Sequence, residues 1–107
     1  MKIVYSKYLP PKGFVAMVLF GVVVSRRELT AIEQNHEAIH IRQGNEMLWV
    51  FFYLWYVIEW LVRLVQYRNS DKAYRSISFE REAYENQGKK EYLEERRRWG
   101  FRKYMKL

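Results

Sequence analysis

Thr30-Ala31-Ile32-Glu33-Gln34-Asn35-His36-Glu37-Ala38-Ile39-His40-Ile41-Arg42-Gln43 is the stretch from which the rest of the chain can be read. Thr30-Ala31-Ile32-Glu33 is a capping box: the threonine hydroxyl accepts from the Glu33 amide while the Glu33 carboxylate reaches back to the Thr30 amide. A helix should therefore start after Thr30 and run through His40 to about Gln43. On that helix His36 and His40, four residues apart, share one face about one turn apart, so both imidazoles can reach one ion at roughly 2.0–2.1 Å. Glu37 is turned about a quarter of the way round, where it can hydrogen-bond a water in the ion's open position and act as its general base. A pattern this short also arises by chance. Its weight here comes from the capping box that independently predicts the helix, and from these being the only two histidines in the chain.

The rest of the chain limits what such a site can be built from. Its 107 residues suffice for one domain, 1–107, in which folding and function share one core. Apolar residues make up 50% and aromatic ones 18%, which excludes a disordered chain. There is no cysteine, hence no disulfide, no thiolate nucleophile and no thiolate metal ligand. Any metal must sit on histidine and carboxylate, and zinc suits that set.

The net charge of +7 is uneven. Residues 1–27 carry five basic groups and no acid, and residues 89–107 carry eight basic groups against three acidic ones. The centre, 28–88, has nine acids and six bases. Basic ends read as solvated faces or as anion-attracting surfaces, with a membrane surface as a candidate partner and nucleic acid a less favoured one.

Upstream of the helix, Ile3-Val4-Tyr5 reads as a short strand, Pro10-Pro11 as a turn, and Phe14 to Val24 as a buried strand or bent pair of strands with Gly21 as a bulge. Gly13 to Val24 is too short to span a bilayer and lacks a following cleavage site, so it is not read as a signal peptide. The expected location is cytoplasmic, with membrane association as the alternative. Gly44-Asn45 should end or bend the first helix, and Glu46 should open an aromatic helix to about Tyr67. Met47 to Val65 is nearly all apolar, broken only by Glu59 and Arg63, which are spaced to pair. It reads first as a buried core helix and second as a membrane-contacting one. Trp49, Phe51, Phe52, Trp55, Tyr56 and Trp60 go all round it and read first as core, then as membrane contact, and last as a substrate pocket. Arg68 to Ile77 is polar and turn-rich. Ser78 should cap a third helix that carries Glu80 and Glu82 and ends near Gly88, and the basic tail with Trp99, Phe101 and Tyr104 should be helical and partly packed.

A third protein ligand is required. Glu46, Glu80 and Glu82 are the carboxylate candidates. Glu46 is set aside because the His-x-x-Gly-x-x-His extension it would complete has Gln43 in the glycine position. Glu80 and Glu82 lie about 200° apart on a helix, so one can face the ion while the other points away.

His36-Glu37-Ala38-Ile39-His40 followed by Phe79-Glu80-Arg81-Glu82-Ala83-Tyr84 resembles the gluzincin branch of the zincin-like metallopeptidases. In that branch the later helix bears a ligand Glu within Glu-x-x-Ala-Asp. Aligned on Ala83, the ligand is Glu80, and Tyr84 stands where the family has Asp. A shifted register gives Glu82, with Asn86 four residues on. The likeness covers about residues 13 to 88 and is nearest to small bacterial proteins that are little more than the gluzincin core. It implies an α+β, zincin-like fold: a small N-terminal sheet, then the active-site helix, the aromatic helix and the Glu-bearing helix. It further implies zinc, a peptide or protein substrate added along the sheet edge formed by 13–24, and peptide hydrolysis with Glu37 as base. Tyr74 and Arg75, just before the Glu helix, are the candidates for stabilising the transition state. The alternative is a non-catalytic binding or structural protein on the same scaffold.

Overall fold

The structure is a computed structural model that describes residues 1–105; Lys106 and Leu107, the end of the basic tail, lie outside the described residues. Three short strands, β1 (Lys2–Tyr5), β2 (Ala16–Leu19) and β3 (Val22–Ser25), form one sheet in the order β1-β3-β2. β1 runs parallel to β3 with Val4 opposite Val24, and β2 runs antiparallel with Val18 opposite Val23. Val23 is fully buried at the centre. The 14–24 stretch is thus a pair of strands, and Gly21 is no bulge. With Phe20 at φ 48° and Gly21 at φ 91°, the two form a tight hairpin turn that needs positive φ at both positions.

That turn fixes which way β2 faces. A two-residue loop makes Leu19 and Val22 a hydrogen-bonded pair, so pairing to β3 alternates, and the main-chain groups of Ala16 and Val18 point to the open edge. The Arg26 amide on the Val15 carbonyl, 2.9 Å, keeps the same alternation. The Tyr53 hydroxyl closes the far end of this edge, donating to the Val18 carbonyl at 2.8 Å and accepting from the Phe20 amide at 2.9 Å.

Helix α1 (Ala31–Glu46) begins with both arms of the capping box in place, Glu33 N to Thr30 Oγ1 at 3.2 Å and Thr30 N to Glu33 Oε1 at 2.9 Å. Arg27 braces the same carboxylate at 2.8 Å and, with the Thr30 amide, lowers its pKa to about 2. The helix continues through Gly44 and Asn45 to Glu46, past the expected end at Gln43. Gly44 is needed for another reason: a β-carbon there would lie 2.4–2.6 Å from the Trp49 ring. Leu48 and Trp49 then take left-handed conformations, with φ 56° and 55°, and the chain bends by 113° into α2. The aromatic helix therefore starts at Val50, because Glu46 still belongs to the helix before it.

Helix α2 (Val50–Tyr67) is not a buried core helix, since only Phe52 and Arg63 are buried along it. Its inner stripe packs on a core of Met47, Phe52, Ile77, Phe79 and Phe101, with Phe52 and Phe79 rings 4.6 Å apart. Its outer side is left open. Among the described residues no single helix is long and apolar enough to cross a membrane. The stretch read as turns holds α3 (Ser70–Ser76), capped by the Asn69 side chain on the Lys72 amide at 3.0 Å. In α4 (Ser78–Asn86) Ser78 is the first helical residue and not the cap. Glu59 of α2 serves instead, accepting from the Ser78 amide at 2.9 Å and from its hydroxyl. The tail packs back through a short helix, α5 (Tyr92–Glu95), and a 3-10 turn (Gly100–Tyr104) that buries Phe101 against Phe79.

Gly44→Ala tests the α1–α2 junction. Helix propensity alone would stabilise the change by up to about 1 kcal/mol, whereas forcing a methyl into the Trp49 ring should destabilise by ~1–3 kcal/mol. Urea unfolding should show the loss, and a gain would contradict this packing.

Candidate metal centre

α1 packs against β2 and alongside α4, and the facing sides of the two helices carry His36, His40 and Glu80. His36, His40 and Glu80 are all buried. His36 Nε2 lies 3.1 Å and His40 Nε2 3.0 Å from the same Glu80 oxygen, and the two nitrogens are 3.2 Å apart. Three atoms bound tetrahedrally to one zinc at 2.0–2.1 Å would be separated by about 3.3 Å. The triangle observed is nearly that size, and this group could hold a metal ion.

Hydrogen bonding behind each imidazole favours the same use. His40 Nδ1 faces Gln43 Oε1 and His36 Nδ1 faces Gln87 Oε1, both at 2.8 Å. An amide oxygen only accepts, so each Nδ1 carries a proton and each Nε2 is left with its lone pair directed at the other and at Glu80. Two bare nitrogens and a carboxylate oxygen at this range repel unless a cation lies among them, either a proton or a metal. The donor set fits zinc, which takes neutral imidazole nitrogen and carboxylate oxygen together.

Gln43 is itself oriented. Its amide nitrogen donates to the Phe79 carbonyl at 3.1 Å and to Glu82 Oε1 at 2.8 Å, which turns its oxygen to His40. Glu82 is held in turn by Arg96, whose other arm reaches Glu46 at 2.7 Å. The register question is thereby answered: Glu80 reaches the imidazoles, while Glu82 and Glu46 face away into a buried ion-pair network. Tyr56 completes the surroundings, its hydroxyl donating to the second Glu80 oxygen at 2.7 Å. Sequence reasoning missed these partners. Gln43, three residues past His40 on the same face, carried a usable signal. Tyr56 read as core, and Gln87 lies beyond α4 with no motif around it.

Glu37 is buried at the helix surface, and among the described residues no hydrogen bond reaches its carboxylate. Burial pushes its pKa up, against the pull of His40 and His36. Two hollows meet at it. One of about 440 Å³ runs past His40 and Glu80 between β2 and the Phe52–Trp60 stripe of α2. The other, of about 250 Å³, runs past His36 towards Tyr84 and Gln87. Glu37, Phe14, Ala16 and Tyr74 line both. Tyr74 lines both hollows, its hydroxyl 3.3 Å from that of Tyr84 and its pKa raised by burial and then by the Glu80 charge. Arg75 does not: its guanidinium lies over the Tyr84 ring at 4.6 Å and lines neither hollow. Tyr84, where the resembled motif has Asp, presents its ring edge-on to His36 at 4.4 Å. Gln87 makes the polar contact to that histidine in its place.

Comparison of the chain with protein-family models, with curated proteins and with solved structures finds no match.

In the metal-free protein the cluster must be stabilised by a proton. Burial opposes charge on His40, but the Glu80 charge and hydrogen bond, with Glu37 and Gln43, raise its pKa to about 9. For Glu80 burial also opposes charge, and the two histidines nevertheless hold it well below the usual carboxylate range. A raised folded-state pKa stabilises fully below the unfolded value of about 6.5 and is lost as pH climbs through 9; the depressed one is lost as pH falls below about 4.3. Urea unfolding of chelator-treated protein should weaken between pH 6.5 and 9.5 by on the order of a few kcal/mol, since each tenfold gain in proton affinity on folding is worth ~1.4 kcal/mol. His40→Ala should abolish most of that slope, and a wild-type slope equal to the variant's would contradict the proton-held cluster.

Proposed function

We propose that the chain is a zinc-dependent peptidase of zincin-like architecture. The observation that carries this reading is the convergence of His36, His40 and Glu80 on one point, beside a buried Glu37 that lines two hollows. His36, His40 and Glu80 would hold zinc, which when bound supplies a Lewis acid and a water of lowered pKa. Everything else falls to the chain. Glu37, unpaired and with a raised pKa, accepts the proton of the attacking water and returns it to the departing amine. The Tyr74 hydroxyl, kept protonated by burial, donates to the oxygen on which negative charge develops.

The same hollows suggest how a substrate lies. β2 is an edge strand, and the free main-chain groups of Ala16 and the Val18 amide offer a ladder to an extended peptide. The larger hollow, walled by Phe52, Tyr53, Tyr56 and Trp60, favours an apolar side chain on that side of the scissile bond. The sheet position above α1, the order of elements and the Glu80 ligand all support the zincin-like assignment.

Glu37→Gln separates catalysis from folding, because the amide keeps the shape and loses the base. Hydrolysis of a quenched-fluorescent peptide library by zinc-loaded protein should fall by roughly 10²–10⁴-fold with unchanged thermal stability. Activity indifferent to the change would reject the assigned base, and absence of wild-type turnover at full zinc loading would favour a non-catalytic scaffold.

A further inference from the structure

The outer side of α2 is built inside out. On a helix of 3.6 residues per turn, Val57, Val50, Leu61, Leu54, Val65, Ile58, Phe51, Val62 and Trp55 follow one another across nearly half the circumference. Every one is exposed, Val65 at 79%, Val50 at 63% and Leu54 at 55% among them. Glu59 and Arg63, the only charges on the helix, are on the opposite half, where Glu59 caps α4 and Arg63 is buried. Leu48, exposed at 72%, and Phe20 at the hairpin tip, exposed at 64% with its ring 5.2 Å from that of Tyr53, extend the apolar surface at the start of α2. A large apolar surface of this kind, unlike singly scattered apolar residues, marks a face that something covers.

Charge on the border says what covers it. The tail runs along the Trp55 edge: the Trp99 amide bonds Glu46, Phe101 packs on Trp55 at 5.9 Å, and Arg63 donates to the Met105 carbonyl. Between residues 96 and 105 there is no acid, and Arg97, Arg98, Arg102 and Lys103 are exposed. Arg68, at the end of α2, and Lys72, with Asp71 beside it, are exposed beyond it. An apolar face without charge, bordered by arginine and lysine and by the half-exposed Trp55 and Trp99, matches the layering of an anionic bilayer surface. The helix cannot be ringed by lipid, because its other half carries Tyr56 and the wall of the cleft.

We infer that α2 lies in the plane of an anionic phospholipid bilayer, its outer half among the acyl chains and the 97–103 basic residues at the headgroups. This does not rest on the metal site. It would hold the cleft, walled by the inner half of the same helix, within about 10 Å of the membrane.

Co-sedimentation of the 107-residue chain with phosphatidylcholine vesicles, with and without phosphatidylglycerol, tests the inference. The exposed basic residues predict a preference of roughly 30-fold or more for the anionic vesicles, weakened by salt. Leu54→Glu/Ile58→Glu should lose binding by roughly 100-fold or more without loss of thermal stability or zinc content, so this inference and the peptidase proposal fail separately. Because the chain has no cysteine, single labels can be placed by Ile58→Cys and Glu85→Cys in otherwise unaltered protein. Brominated acyl chains should quench the first label and spare the second. Chain left in solution with both vesicle types, equal quenching of both labels, or a soluble dimer that Leu54→Glu/Ile58→Glu splits without any vesicle binding would overturn it.

Discussion

Everything about the site follows from one crowded contact: two imidazole nitrogens and one carboxylate oxygen, buried, within about 3 Å of each other. Such a cluster is stable only with positive charge at its centre. The fold is arranged to impose it. The capping box fixes where α1 begins and so which side its histidines face, and Glu59 fixes the first turn of α4 and so the direction of Glu80. Behind the imidazoles, Gln43 and Gln87 hold the ring protons away from the centre, and the Arg96–Glu82 pair holds Gln43. Removing one partner from a buried network of this kind costs about 3–5 kcal/mol, so the support is also a large share of the stability of so small a core.

Helix α2 performs two tasks with its two halves. The inner half supplies Tyr56 to Glu80, Glu59 to α4 and Tyr53 to the sheet edge, which places polar groups on the side a soluble helix would keep apolar. The outer half carries no charge, and its one polar side-chain atom, Trp55 Nε1, turns to Glu59 at 2.8 Å. The exposed outer half and the wall of the cleft thus belong to one helix.

The sequence was legible where a local interaction decides the outcome. Thr30 and Glu33 set the start of α1 by themselves, the His36–His40 spacing follows from helix geometry, and the Ile-Val and Val-rich runs became strands. It was misleading where a distant residue decides. Ser78 has the chemistry of a cap, but Glu59, nineteen positions earlier, does that work. Gly44 looked like a helix stop, yet it is a site of close approach for the Trp49 ring. The polar 68–77 stretch hid a seven-residue helix whose only local cue is Asn69. Hydrophobic pattern also could not say that the apolar half of α2 is the open one, since burial depends on what packs there. Glu82 and Arg75 show the same limit. Both sat in the right segment, but one is claimed by Arg96 and the other rests on Tyr84.

An anomalous-difference map at the zinc absorption edge, from crystals of the chain grown with zinc, tests the central claim most directly. The account predicts one peak per chain, equidistant from His36 Nε2 and His40 Nε2 at about 2.0–2.1 Å, with a Glu80 oxygen as third ligand. No peak at full zinc saturation, or a peak bound by Glu82 or remote from the imidazoles, would contradict it.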